Sequence, residues 1–512
     1  MKPPSRWLPL LLIVLSAVLF DGLFFDMATG ANVPVFVALI VAILLYRQGW
    51  RGMSAPARAT MLGALVCAAM VAVHHSAIAV FASVCTLAAF AAFVHEPLLR
   101  SIPYTVPQFI MNGIMLPVSA WEGLGELMND RRATRKSWRW GKLILLPLIV
   151  TVVFFQMYRV GNPKFDQFTA GFLDGLSAWL AEVFGNIFTP HLFFFLFALV
   201  LCAVLLLRHA PGTVLRLEQQ WTDLLQRTRI RRPHWMAPRG MNPLERERRM
   251  GVVLLVLVNL LLLVVNVIDI DWVWFGFEVP VDFSLKQFVH EGTWMLIISI
   301  LLSMLILLHL FRGNQNFFAR SGSLKALALV WVVQNFIVGV SVFLRNYHYI
   351  SFHGLAYKRI GVIVFLVLVL VGLITLFVKI LERKSFFYLL RVNGWAAFAV
   401  LVGLSTVNWD GFIVRTNLRH DNPGEIDIDN YLAMSDKVLP LLYDNLALVS
   451  EQMARHRTNR VRWVDNLDPA DFKAQLDAKR DRFLGRYASQ QWQEWNLADR
   501  RTALALTNER EP

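Results

Sequence analysis

MGVVLLVLVNLLLLVVNVI, residues 250–268, is a nineteen-residue stretch without a charge, and its reading decides the fold. As a helix rising 1.5 Å per residue it covers about 28 Å, close to the roughly 30 Å of hydrocarbon in a bilayer. Lipid leaves backbone N–H and C=O groups no partner but each other, so a helix is the form such a run must take. Its two polar residues, Asn259 and Asn266, lie seven apart on one face, where they are expected to bond a neighbouring helix. Working outward, the same template predicts eleven spans: 7–25, 32–46, 59–73, 77–94, 141–158, 190–208, 250–268, 287–311, 324–345, 358–380 and 391–408. Residues 103–120 are apolar but carry Pro103, Pro107, Asn112 and Pro117, and read as a broken, re-entrant or interfacial segment. Residues 168–189 read as an amphipathic helix in the outer interface.

Composition agrees with lipid as solvent. Of 512 residues, 56% are hydrophobic and 17% charged, and the mean hydropathy is +0.50, more apolar surface than a soluble core of this length hides. The net charge of +14 does not point to nucleic acid, because the basic residues cluster between apolar runs rather than on one face of a soluble domain. Cys67, Cys85 and Cys202 sit inside apolar runs with no CxxC pairing, so neither a disulfide framework nor a zinc site is expected.

The basic clusters give the topology. With the N-terminus inside, the inner segments hold 29 Lys and Arg and the outer loops six, while 15 lie after residue 408. This asymmetry predicts a cytoplasmic N-terminus and an extracytoplasmic C-terminus in a bacterial inner membrane. The inner segments, with a net charge of +20, are expected to meet anionic lipid headgroups. Leu215, Trp221, Leu224 and Leu225 predict a surface-lying helix in one of these loops. Lys2, Arg6 and the apolar run after them could open a signal peptide, but Asp21, Phe24, Phe25 and Asp26 replace a small-residue cleavage site, so an uncleaved first span is expected.

The fold class is therefore all-α: a polytopic transmembrane bundle over 1–408, with inner basic loops 95–140 and 209–249, and a small helical extracytoplasmic domain over 409–512. In that domain Ser435 is expected to cap a helix of about twenty residues through Val438, Leu439, Leu442, Leu446 and Val449. Asp468-Pro469 opens a second helix through Phe472, Leu476, Phe483 and Tyr487. Trp463, Trp492 and Trp495 are candidates for docking it on the membrane body, and the domain is a candidate surface for an envelope protein partner.

Ionisable residues near membrane depth are the first place to look for function. His290 and Glu291 open the eighth span; Arg345, His348, His353, Lys358 and Arg359 fall around the loop joining the ninth and tenth; Asn408 and Asp410 end the eleventh, with Arg415 and Asn417 beyond. With His74, His75 and His191 they could line one outward polar pocket, with Glu291 as base and His290, Asp21 or Asp410 assisting. The plainer reading pairs Glu291 with Arg359 or Lys358 as a fastener. Within the membrane, Asn259, Asn266, Gln334 and Asn335 are explained by interhelical hydrogen bonds, a substrate path being the sharper alternative. The spacings of His74-His75 and of His348 to His353 match no metal-ligand pattern, no nucleotide or hydrolase motif stands in a fitting context, and no metal or cofactor is expected. Asp21 and Asp26 in the first outer loop share a layout, and only that, with membrane glycosyltransferases that use lipid-linked donors.

Asn408-Trp409-Asp410-Gly411-Phe412-Ile413-Val414-Arg415-Thr416-Asn417 reads N-x-D-x-x-I-x-x-x-N directly after the last span and is followed by Asp429, Tyr431-Leu432, Ser435-Asp436 and Pro440-Leu441. Together with Leu19 to Phe25, His290-Glu291-Gly292 and Tyr357-Lys358-Arg359, it resembles a family of bacterial polytopic inner-membrane proteins known only as a domain of unknown function. Gly411 stands where that family usually has alanine. The resemblance implies a membrane-embedded body and brings no activity, substrate or cofactor. From the residues themselves, Asn408 and Asp410 are expected to cap an element leaving the membrane, and Arg415 and Asn417 to bond freed carbonyls. Three function classes stay open: a transporter or receptor, an enzyme on a lipid-linked envelope substrate, and a sensor or scaffold. The absence of a visible nucleophile, metal set or phosphate loop favours a non-enzymatic protein.

Overall fold

A computed structural model describes residues 8–127, 147, 150–151, 154–184, 189–210, 212–227, 243–276, 292–419, 428, 430–458 and 467–508. His290, Glu291, Asp429, Trp463 and most of the expected span 141–158 lie outside them. The described residues are helical with no strand, apart from one isolated antiparallel bridge between Leu224 and Lys384. The helices are α1 (Leu8–Phe24), α2 (Asn32–Gln48), α3 (Ala55–His74), α4 (Ala77–His95), α5 (Thr105–Leu127), α6 (Pro163–Phe184), α7 (Pro190–Leu206) and α8 (Thr213–Gln219). There follow α9 (Pro243–Asp269), α10 (Thr293–Leu310), α11 (Gly322–His353), α12 (Tyr357–Glu382), α13 (Phe386–Ser405) and α14 (Trp409–Leu418). The tail adds α15 (Asn430–Ala433), α16 (Leu439–Asp444), α17 (Leu446–Thr458), α18 (Pro469–Ala488) and α19 (Leu497–Asn508).

Among the described residues seven helices are long and apolar enough to cross a membrane: α3, α4, α9 with its extension to Phe275, α10, α11, α12 and α13. The apolar helices α1, α2 and α7 have 17 residues each. The burial pattern of α9 is that of a helix in lipid. Val253, Leu257, Leu260, Leu261 and Val264 are exposed, whereas Asn259, Asn266 and Asp269 are buried. Polar groups face protein and apolar ones face outward, the reverse of a soluble helix.

The chain divides into two compact units. In the first (Met1–Leu65, Ser83–Leu99, Tyr104–Arg216) α1 packs on α7 and α2, through rings of Phe20, Phe24, Phe36, Phe194 and Phe197. The segment expected to be broken at 103–120 is a correction: α5 runs unbroken through Pro117. The polar residue in it has a specific partner. Asn112 donates to the Val204 and Leu207 carbonyls, both at 2.8 Å, and accepts from the His209 and Ala210 amides. It thereby satisfies groups freed where α7 ends, and α5 packs against α7 there.

The second unit comprises Val66–Ala82, Arg100–Pro103 and Leu217–Pro512. α9 and α11 pack together, and α11 packs in turn on α10 and α12, and α12 on α13. A buried core of Leu255, Ile300, Leu324, Val338, Leu366 and Leu376 joins them. A second core holds Ile413 and Val414 of α14 against Leu439, Leu442, Phe472 and Phe483 of the tail, with Leu355 just before α12 and Ile360 in its first turn. The expected surface-lying helix is corrected. α8 stops at Gln219, and Leu224 instead pairs with Lys384 as extended backbone. Glu218 at its end is fully buried and accepts from the Arg100 and Ser101 amides, while burial holds its carboxyl above the ordinary range. The twenty-residue tail helix is also corrected: it breaks at Asn445 into α16 and α17. α18 opens at Asp468-Pro469 as expected.

Candidate functional site

Two polar clusters stand out in the second unit. The first surrounds the turn between α11 and α12. The sequence puts Arg345, His348 and His353 around a loop; instead α11 continues to His353, and only Gly354, Leu355 and Ala356 join it to α12. Gly354 takes φ +75°, and a Cβ there would lie 2.7 Å from Asn417 Oδ1. That close approach lets Asn417 clasp Leu355, accepting its amide at 2.5 Å and donating to its carbonyl at 3.0 Å. Arg359 donates to the His353 carbonyl at 2.7 Å and to that of Gly354, and lies over the Tyr349 ring. His353 packs against the same ring at 4.5 Å.

Asp410 is buried beside this turn. One carboxylate oxygen accepts from the Tyr357 hydroxyl, and the other from the Ser435 hydroxyl, with Lys437 Nζ at 3.4 Å. Ser435 thus bonds Asp410 instead of capping the following helix. Lys437 also donates to the His74 carbonyl at 2.8 Å. Asn408 caps α14 by accepting the Gly411 amide at 3.4 Å. The motif's spacing is now explained, since Asp410, Ile413 and Asn417 are the buried face of a ten-residue helix. Arg415 lies on its exposed face, and Lys358 is exposed as well. Nearby, Asp499 accepts from Asn496 at 2.8 Å and lies 3.5 Å from His75 Nδ1. Burial opposes its ionisation, yet the bonds from His75 and Asn496 hold its carboxyl below the usual value.

The second cluster is a polar seam between α9 and α11, which run in the same direction. Gln334 Nε2 donates to Asn259 Oδ1 at 2.9 Å, and Asn259 donates to the Leu255 and Leu327 carbonyls. Asn266 donates to the Gln334 carbonyl at 3.2 Å. Further along, Arg345 meets Asp269 at 2.5 Å in a buried ion pair. α9 then passes into a π-helical turn, Ile270–Phe275, which places Trp274 Nε1 2.9 Å from Ser341 Oγ and the Val273 carbonyl 3.0 Å from His348 Nε2. Among the described residues Asn335 bonds within its own helix, to the Trp331 carbonyl at 2.8 Å. Asp269 was missed because the apolar run stops at Ile268. The signal was present in its position, three residues past Asn266 on the same face.

In the first unit Asp21 Oδ2 and His191 Nε2 are 2.7 Å apart, with the Phe25 ring against the imidazole at 4.2 Å. At the far end of the α9–α11 group from the tail, Lys379 is buried and donates to the Phe311 carbonyl at 3.1 Å. It borders a groove of about 490 Å³ that includes Trp221, Leu224, Arg312 and Phe386. Among the described residues no group of three or more His, Cys, Asp or Glu side chains could hold a metal ion.

A family model described as a domain of unknown function (DUF4153) matches residues 7–445. No curated protein and no solved structure matches the chain.

Proposed function

Because the chain belongs to the DUF4153 family, a domain of unknown function, we propose from its own geometry that it is a non-enzymatic sensor or scaffold of the bacterial inner membrane. In this reading the N-terminus is cytoplasmic and the tail after residue 408 is the surface offered to an envelope partner. The observation that carries it is Asp410, whose two oxygens are taken up by Tyr357, Ser435 and Lys437. A carboxylate so committed fastens a tail to a membrane helix rather than serving as an acid or base for substrate. Trp492 of the tail, 62% exposed, belongs to the surface left for a partner. On the cytoplasmic face of this reading, the exposed Arg312 beside its groove favours contact with anionic lipid headgroups.

The test compares three strains: gene disruption, deletion of 430–512, and Arg359→Gln, each with protein abundance measured. The expected result is that the tail deletion reproduces the disruption phenotype while the membrane body still accumulates. A tail-deleted protein that supports the full phenotype overturns the reading.

The second reading, a membrane enzyme on a lipid-linked envelope substrate, is favoured by the Asp21–His191 pair, in which the imidazole is 55% exposed. A carboxylate fixing one imidazole nitrogen suits a general base. Loss of phenotype in both Asp21→Asn and His191→Gln, at normal abundance and with the tail intact, would decide for it.

A further inference from the structure

α12 ends at a groove whose charges do not balance. From Tyr357 to Lys379 the helix rises about 33 Å. Lys379 therefore sits where the roughly 30 Å of hydrocarbon gives way to headgroups, on the side away from the tail. The residue is 3% exposed. Its ammonium donates to the Phe311 carbonyl at 3.1 Å, and that carbonyl also accepts from Asn316 at 2.7 Å. A neutral carbonyl does not offset a buried charge. Among the described residues no carboxylate forms an ion pair with Lys379, and the acids next to the groove are taken by other bases, Asp223 by Arg391 at 2.8 Å and Glu382 by Lys384 at 3.0 Å.

The groove, of about 490 Å³, lies between the segment from Gln220 to Gln226, the end of α10 and the start of α13. Among the described residues two cations line it, Arg312 and Lys379, and no acid does. The Arg312 side chain is 64% exposed, and its contact with Glu247 is a long one at 3.8 Å. It also meets the His309 ring at 3.2 Å, which leaves its guanidinium donors for a further acceptor. Beside these charges Trp221, Leu224 and Phe386 are each more than half exposed. A positive crest over apolar walls at the membrane boundary complements a lipid with a negative headgroup above an acyl chain. A soluble anion would leave those walls uncovered.

We propose that this groove binds one anionic phospholipid, its phosphate held by Arg312 in the field of the buried Lys379 and an acyl chain laid against Trp221, Leu224 and Phe386. The lipid supplies the counter-charge that the protein lacks there. Arg312 bonds the phosphate directly, while Lys379 attracts it from behind through a medium of low dielectric. The proposal rests on the headgroup contact proposed for that face and narrows it to a single site. Gln226 is exposed and lines the same groove, so a carboxylate placed there would stand in for the phosphate.

The experiment titrates purified full-length protein in detergent with phosphatidylglycerol or with phosphatidylcholine of the same acyl chains, and follows thermal unfolding. A ligand that binds the folded state raises the transition in a saturable way. The expected result is a rise with phosphatidylglycerol that is half-complete at a mole fraction about tenfold below that needed with phosphatidylcholine. Arg312→Gln and Gln226→Glu should each raise that mole fraction about tenfold. Arg320→Gln removes an exposed base from the same connection between α10 and α11 but outside the groove, and should leave it unchanged. Without a preference for phosphatidylglycerol in wild type, both the site and the headgroup reading fall. A preference kept in Arg312→Gln and Gln226→Glu, or lost equally in Arg320→Gln, overturns the site alone and leaves general attraction to the surface. Inorganic phosphate that produces the full rise in phosphatidylcholine overturns the lipid in favour of a free anion. Should Arg312→Gln fail to accumulate, Gln226→Glu keeps both cations in place and decides by itself.

Discussion

At the scale of single residues, the clasp of Asn417 on Leu355 makes the sharpest prediction. Asn417→Ala leaves a buried amide and a buried carbonyl without partners, at a cost of about 1–3 kcal/mol each. Gly354→Ala forces a side chain into the left-handed region, costing about 1–2 kcal/mol, and pushes its Cβ into the same asparagine. Thermal unfolding of the full chain should show both variants destabilised and the double variant less so than their sum, because the two share one contact. Full additivity would mean the clasp is not a unit. The buried pair behaves differently again. Asp269→Leu takes the carboxylate away from the buried Arg345 guanidinium and should cost about 3–5 kcal/mol, whereas adding Arg345→Met should recover much of it. Denaturant titration of the two variants checks this. Asp410, Asn408 and Asn417 were visible as candidates from spacing alone. The cap made by Asn408 and the carbonyl bond made by Asn417 were expected from the residue types, but the partners of Asp410 were not, since nothing local says that it would meet Tyr357 and Ser435.

At the scale of elements, the spans were legible because hydrophobic length is a one-dimensional property. α2, α4 and α7 fall within two residues of where the apolar runs placed them. Element ends were harder. α11 extends eight residues past the expected Arg345 to His353, because its final turns are held by neighbours such as Val273 and not by lipid. Pro117 predicted a break that α5 does not make, and Trp221 to Leu225 predicted a helix that pairing with Lys384 prevents. In each case a tertiary partner overrode a local preference. The tail adds a pH prediction. Asp499 has its carboxyl lowered on folding, so its contribution is present above the ordinary carboxylate value near 4 and lost as pH falls through the lower folded value. Limited proteolysis of the tail should therefore quicken below about pH 4, and Asp499→Asn should remove that part of the acid response.

At the scale of the whole molecule, the first prediction is topological: alkaline phosphatase fused after Pro512 should be active, and a cytoplasmic reporter at the same point silent. The reverse result would exchange the two faces of the membrane. The second concerns the tail core. Removing 430–512 uncovers Ile413, Val414 and Leu355, so the truncated protein should bind an apolar dye that the full chain does not. Which side of the membrane the tail occupies could be argued from basic clusters, but its docking could not. The buried contacts run through α14 and Leu355, while Trp492, a candidate for that role, stays exposed.

The length of α11 has a mechanical consequence. Thirty-two residues make a rod of about 48 Å, some 18 Å longer than the hydrocarbon it crosses. Its far tip is moored by Asn417, and Arg345 sits two turns below that mooring. A tilt of about ten degrees at its foot would swing the tip by about 8 Å, so a tug on the tail is geared directly into the spacing of Arg345 and Asp269.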